Sequence, residues 1–184
     1  MNKIAVLGLK LLAITAVAGF ALGATNALTE EPIQEQSIAE ADEARRSVLA
    51  DAVTFVQLDA PEGLSEAYAG YDADGALVGK TGKVTTRGYG GEIEVTVGVD
   101  KKGVITGVSV GGSDFSETAG LGARTKEAWF GAQFVGKSSP VALKKDGGEI
   151  DAVTSATISS RAVTNAVDQA ASLLAALSAP ETEG

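Results

Sequence analysis

Glu92-Ile-Glu-Val-Thr-Val-Gly-Val-Asp100-Lys-Lys-Gly103-Val-Ile-Thr-Gly-Val-Ser-Val110 is the stretch that decides the fold. Ile93, Val95, Val97 and Val99 alternate with Glu92, Glu94, Thr96 and Gly98, the period of a half-buried strand. Asp100-Lys101-Lys102-Gly103 has turn composition, and Val104, Thr106, Val108 and Val110 resume the alternation. Two such runs joined by a short turn predict an antiparallel hairpin.

Downstream, Ala123 to Phe130 reads as a short helix with Trp129 and Phe130 in the core. Asp146-Gly147-Gly148 reads as a turn, and Glu149 to Val153 as a short strand. Ala162, Val163, Ala166, Val167, Ala170, Leu173, Leu174 and Leu177 then mark one face of a long helix. Upstream, Ala73-Asp74-Gly75 is another turn signal. The fold class is therefore α+β, an antiparallel sheet with packed helices. With 23 Gly against 4 Pro, tight turns and close backbone approaches are expected rather than linker.

Leu11 to Leu28 is uncharged over 18 residues. At about 1.5 Å per residue a helix of that length covers about 27 Å, close to a bilayer core of about 30 Å. Lys3 and Lys10 precede it, while every acidic residue follows it. The expectation is a single transmembrane helix with its N-terminus cytoplasmic and the remainder extracytoplasmic. A cleaved signal peptide is the alternative, although the small residues expected before a cut are poorly placed. The division expected is 1–28 as N-terminus and span, 29–60 as a juxtamembrane helical linker opening near Pro32, 61–177 as the folded domain, and 178–184 as a flexible tail. Ile38, Ala41, Ala44, Val48 and Ala52 give the linker a narrow apolar stripe.

The chain has no Cys and no His. That excludes disulfides, Cys/His zinc sites, Ser–His triads, thiolate nucleophiles and His- or Cys-ligated haem. A covalent cofactor would need another side chain, and hydroxyls are the plentiful choice. The net charge of −9 argues against a nucleic-acid partner. Gly75 to Thr81 imitates a phosphate-binding loop but is one residue short between its glycines, and reads more simply as an exposed strand end with a solvated Lys80.

The chemistry lies in Asp151-Ala-Val-Thr154-Ser155-Ala156-Thr157-Ile-Ser159-Ser160. A strand end, small hydroxylated residues and a helix start follow one another, with Thr157, Ser159 and Ser160 where an N-cap would fall. Free amides and a positive dipole at such a start accept a phosphate. An ordinary strand–turn–helix with a hydroxyl cap accounts for the same residues and, on the residues alone, is the favoured reading.

This segment resembles the flavinylation motif Asp-x-x-[Ser/Thr]-[Gly/Ser]-Ala-Thr of the FMN-binding domain family. That domain occurs in the G-type subunit of the Rnf electron-transport complex and in the C-type subunit of the sodium-pumping NADH:quinone oxidoreductase. Ser155 stands where the family usually has Gly. Glu117-Thr118-Ala119-Gly120-Leu121-Gly122 resembles the family's Glu-Thr-Pro-Gly-Leu-Gly loop. The resemblance implies FMN joined by its phosphate to Thr157, with Asp151, Thr154, Ser155 and Ala156 as the surrounding motif. It further implies Glu117, Thr118, Gly120, Leu121 and Gly122 against the flavin, and Lys137 near it. It implies an electron carrier within a membrane complex that couples ferredoxin:NAD oxidoreduction to ion pumping, with other membrane subunits as partners and a flavin transferase for maturation. A stand-alone extracellular flavoprotein carrier and a docking module that receives no flavin are the alternatives to that role.

Overall fold

The computed structural model describes residues 3–179, in two units that divide after Ala39. Most of the expected tail, 178–184, lies outside the described residues. The first unit consists of helical residues, part of α1 (Lys3–Val48), and Lys3–Glu30 is long and apolar enough to cross a membrane. Its large apolar side chains, Leu7, Leu11 and Leu22 among them, are exposed. That is the pattern of a helix whose apolar surface is left uncovered among the described residues. α1 continues through Pro32, where the sequence predicts that a second helix begins.

The second unit holds five strands, β1 (Thr54–Gln57), β2 (Glu66–Tyr71), β3 (Leu77–Arg87), β4 (Glu92–Asp100) and β5 (Ile105–Gly111), arranged as an antiparallel sheet in chain order. β1 pairs with β2 from Thr54 to Gln57, so the sheet includes residues that the sequence assigns to the linker. The four residues of β1 are mostly exposed, which leaves its apolar alternation too weak to read.

β4 and β5 form the expected hairpin, with one irregularity. The register shifts at Gly98/Val99, so Val99 faces Ile105 while Val97 faces Val108. Thr106 is the extra residue of a bulge, and Ile105 rather than Val104 enters the core. One sheet face carries Ile93, Val95, Val97 and Val99 against α3 (Thr157–Ala176). Helix α3 presents Val163, Ala166, Val167, Ala170 and Leu174, all buried, and its alanines let it lie close to the strands.

The opposite face is floored with glycine. Gly70 pairs with Gly79, and Gly98 with Gly107. Over them lie Val48 and Leu49 from the end of α1, both buried, and the Val48 carbonyl accepts the Thr106 hydroxyl at 2.6 Å. The expected close backbone approaches are here.

Two lysines of β3 sit in contrasting surroundings. Lys80 lies inside the strand, 8% exposed, and its ammonium donates to the Leu177 carbonyl beyond α3. Burial lowers its pKa. It is not the solvated lysine the sequence suggests, because the imitation loop hides that β3 is a central strand of eleven residues. Lys83, by contrast, sits between Glu66 at 2.7 Å and Glu94 at 3.4 Å. Burial alone would pull its ammonium down, but the two carboxylates outweigh it and raise its pKa above the usual 10.5. A raised lysine pKa contributes stability that is fully present below the unfolded value and is lost as pH climbs through the folded one. Lys83→Met is therefore expected to cost about 2 kcal/mol at pH 7. The gap to the parent protein should hold up to about pH 10 and close above it, measured by urea unfolding across pH.

Candidate functional site

Three segments meet at an open cleft of about 850 Å³. The β3–β4 turn brings Tyr89, the loop after β5 brings Glu117, Thr118, Leu121 and Gly122, and the approach to α3 brings Ser155 to Ser159. Ile158 and Leu121 leave apolar surface at its rim, 55% and 40% exposed.

Glu117 bolts the three segments together. One carboxylate oxygen accepts the Gly90 amide at 3.0 Å and the other accepts the Ser159 hydroxyl at 2.8 Å. The surrounding glycines make room for it: a Cβ at Gly88 would fall 2.1 Å from Glu117 Oε1, and one at Gly122 1.9 Å from Oε2.

Helix α3 opens at Thr157, with Ala156 in the capping position and no side-chain cap. The hydroxyls expected to cap are used otherwise. Ser159 goes to Glu117, while buried Ser160 accepts the Val153 amide and donates to the Ala156 carbonyl, both at 2.9 Å. Thr157 is half-buried at the cleft wall, and its hydroxyl accepts the Lys145 ammonium at 2.7 Å.

Ser155 has φ of 63°, the left-handed region, the one non-glycine residue there among those described. A glycine at this place meets no steric cost. Ser155→Gly is expected to raise stability by about 0.5–1 kcal/mol, the relief of strain exceeding the entropy lost by glycine. A lowered urea midpoint would show instead that the serine side chain holds the turn.

Of the residues singled out from the sequence, Glu117, Thr118, Leu121, Gly122, Ser155, Ala156 and Thr157 line the cleft. Gly120 belongs to the same loop, with φ of 76°. Asp151 and Thr154 stand beside the cleft rather than in its lining. The side-chain amide of Gln133 accepts the Asp151 N–H at 2.8 Å and donates to the Asp151 carbonyl at 3.2 Å, while the Asp151 carboxylate takes Lys144 at 2.7 Å. The expected strand over 149–153 does not form; Ile150 makes an isolated bridge to Leu143. Lys137 is not brought to Thr157: it pairs with Glu149 at a separate cavity.

The segment after the loop is a 3₁₀ turn, Gly122–Lys126, followed by α2 (Ala128–Ala132), not one helix. Phe130 is buried as expected, whereas Trp129 is 39% exposed and makes an edge contact with Phe130. Sequence reasoning missed Tyr89 and Lys145. An aromatic residue flanked by Gly88, Gly90 and Gly91 was the available signal for Tyr89; Lys145 offered none.

A hydroxyl at an uncapped helix start, a cation on that hydroxyl and a partly apolar cleft therefore lie side by side. The model of the FMN-binding domain matches residues 88–172. The G-type subunit of the Na⁺-translocating ferredoxin:NAD⁺ oxidoreductase complex of Acetobacterium woodii is 38% identical, over 88% of this chain and 87% of that protein. Its counterpart in the ion-translocating oxidoreductase complex of Methanosarcina acetivorans is 33% identical, over 89% and 90%. Among solved structures, the C-type subunit of the Na⁺-translocating NADH-quinone reductase of Parabacteroides distasonis overlays with a TM-score of 0.48 at 24% identity, over 57% of this chain and 58% of that one. The chain belongs to the family of G-type subunits of ion-translocating oxidoreductase complexes.

Proposed function

We propose that this chain is a membrane-anchored electron carrier of a complex that couples ferredoxin:NAD oxidoreduction to ion translocation, with FMN joined through its phosphate to Thr157. Residues 3–30 anchor it, the N-terminus lies in the cytoplasm and the flavin domain outside, next to the complex's other membrane subunits. The observation that carries the reading is the position of the Thr157 hydroxyl, at the uncapped start of α3 on the wall of the cleft.

The residues present fit the group. The first-turn amides of α3 and its dipole suit a phosphate, and Lys145 adds a full positive charge. Tyr89, Leu121 and Ile158 give the cleft the aromatic and apolar surface that a flavin ring would cover. When bound, FMN supplies one- and two-electron redox chemistry, and the protein binds, orients and tunes it. No carboxylate faces Thr157 Oγ1 as a base in the hydrogen bonds of the described residues; its partner is an ammonium donor. The family resemblance implies a separate flavin transferase with FAD as donor, and the ammonium partner of Thr157 is in keeping with a base supplied from outside. The Oγ1–P bond forms, the pyrophosphate bond of FAD breaks, AMP leaves, and the hydroxyl proton passes to the transferase.

The test is the intact mass, under denaturing conditions, of the chain coexpressed with a flavin transferase. The expected gain is about 438 Da, one FMN less one water, mapped to the peptide holding Thr157. An unmodified mass beside an active transferase would sink the proposal.

A further inference from the structure

Charged groups crowd the loop that runs from Leu143 back to α3, and most of them are committed to ion pairs: Lys144 with Asp151, Asp146 with Arg161, and Glu149 with Lys137. Lys145 forms no ion pair among the described residues and spends its ammonium on the Thr157 hydroxyl at 2.7 Å, twelve residues along the chain. The pairs on either side of it fix the 3₁₀ turn Lys144–Asp146. Arg161 grips both oxygens of Asp146 at 2.8 and 2.9 Å from the second turn of α3, so the turn bearing Lys145 is tied to the helix bearing Thr157.

We propose that Lys145 is a positioning residue for the modification of Thr157 and the counter-charge of the phosphodiester formed there. This rests on the reading of Thr157 as the flavin acceptor. A phosphodiester on Oγ1 brings one negative charge into a cleft that already holds the Glu117 carboxylate, in a chain of net charge −9. The start of α3 offsets about half a charge. A cation already bonded to the bridging oxygen offsets the rest without moving any backbone. As an ammonium it has no lone pair to take the hydroxyl proton. Its donation leaves the Thr157 hydrogen turned away from the lysine, available to a base supplied from outside. Lys145 therefore orients the acceptor oxygen without deprotonating it.

The experiment compares wild type, Lys145→Met, Lys145→Arg and a control on the β4–β5 turn, Lys101→Met, each incubated with limiting flavin transferase and FAD. Two quantities are read: the initial rate of mass gain, and the unfolding temperature before and after modification. Lys145 is exposed, so the unmodified variants should unfold within a few degrees of wild type. Lys145→Met is expected to gain flavin about tenfold more slowly, and Lys145→Arg and Lys101→Met within about threefold of wild type. Modification should also stabilise wild type and the arginine variant more than it does Lys145→Met. A Lys145→Met protein modified as fast as wild type, with the same change in unfolding temperature, overturns this role and leaves Thr157 as acceptor. A wild-type chain that gains no mass overturns both.

Discussion

Thr157→Ala is expected to leave the domain folded and to abolish every trace of flavin that survives denaturation. The two halves of this prediction have separate causes. Thr157 is the first residue of α3, half-buried, and its hydroxyl bonds to the flexible end of an exposed lysine. Losing that bond costs about 0.5–1 kcal/mol, and alanine returns part of it as a better helix former. The unfolding temperature should therefore stay within a few degrees. The mass gain should fall to zero, because the neighbouring hydroxyls are not equivalent: Ser159 is bonded to Glu117 and Ser160 is buried under the first turn. Thr157→Ser, which keeps an oxygen at this place, should still be modified. A full mass gain on Thr157→Ala would move the acceptor to another hydroxyl lining the cleft, the exposed Ser155 or Thr118.

Gly98→Ala is expected to destabilise the domain by about 3–5 kcal/mol, enough to unfold a marginal one. The added Cβ would stand 2.2 Å from the Val48 carbonyl oxygen and 2.7 Å from the Thr106 hydroxyl. Backbone stands in the way on one side, so no rotamer change relieves it. Gly107, its partner across β4 and β5, is as tightly covered, 2.7 Å from Val48 Cα. Relief would require residues 48–52 to lift from the sheet, exposing Val48 and Leu49, now 1% and 2% accessible, and breaking the Thr106 bond. Gly111→Ala serves as the control: its Cβ would meet only Lys126, at an ordinary 3.7 Å, and the expected loss is within about 0.5 kcal/mol. Urea unfolding of the three proteins decides the matter, and equal midpoints would refute the packing argument.

The elements legible in the sequence were those whose periodicity arises from burial on one face. The β4–β5 hairpin and α3 belong there, since Ile93 to Val99 and Val163 to Leu174 meet each other in the core. β1 was missed because an exposed edge strand has little reason to alternate. The bulge at Thr106 was missed because it exchanges two similar residues, Val104 and Ile105, between faces. The Glu117–Gly122 loop and the Ser-Ala-Thr turn could be found because the residues of each are contiguous. Lys145 could not, since its turn reaches α3 through contacts between residues distant in sequence, the Asp146–Arg161 pair among them. Lys137, named by analogy, lies with Glu149 at another cavity than the one Thr157 lines.

The order of the sheet also sets a sequence in time. Each strand pairs with the one made just before it, so the meander can assemble from neighbouring hairpins at small loop-closure cost. Its core face then waits for α3, the last element, to cover it. The cleft draws Glu117 from the middle of the chain and Thr157 from that final helix. The cleft is therefore incomplete until α3 has docked on the sheet, and an enzyme that recognises its assembled form can act only once that helix is in place.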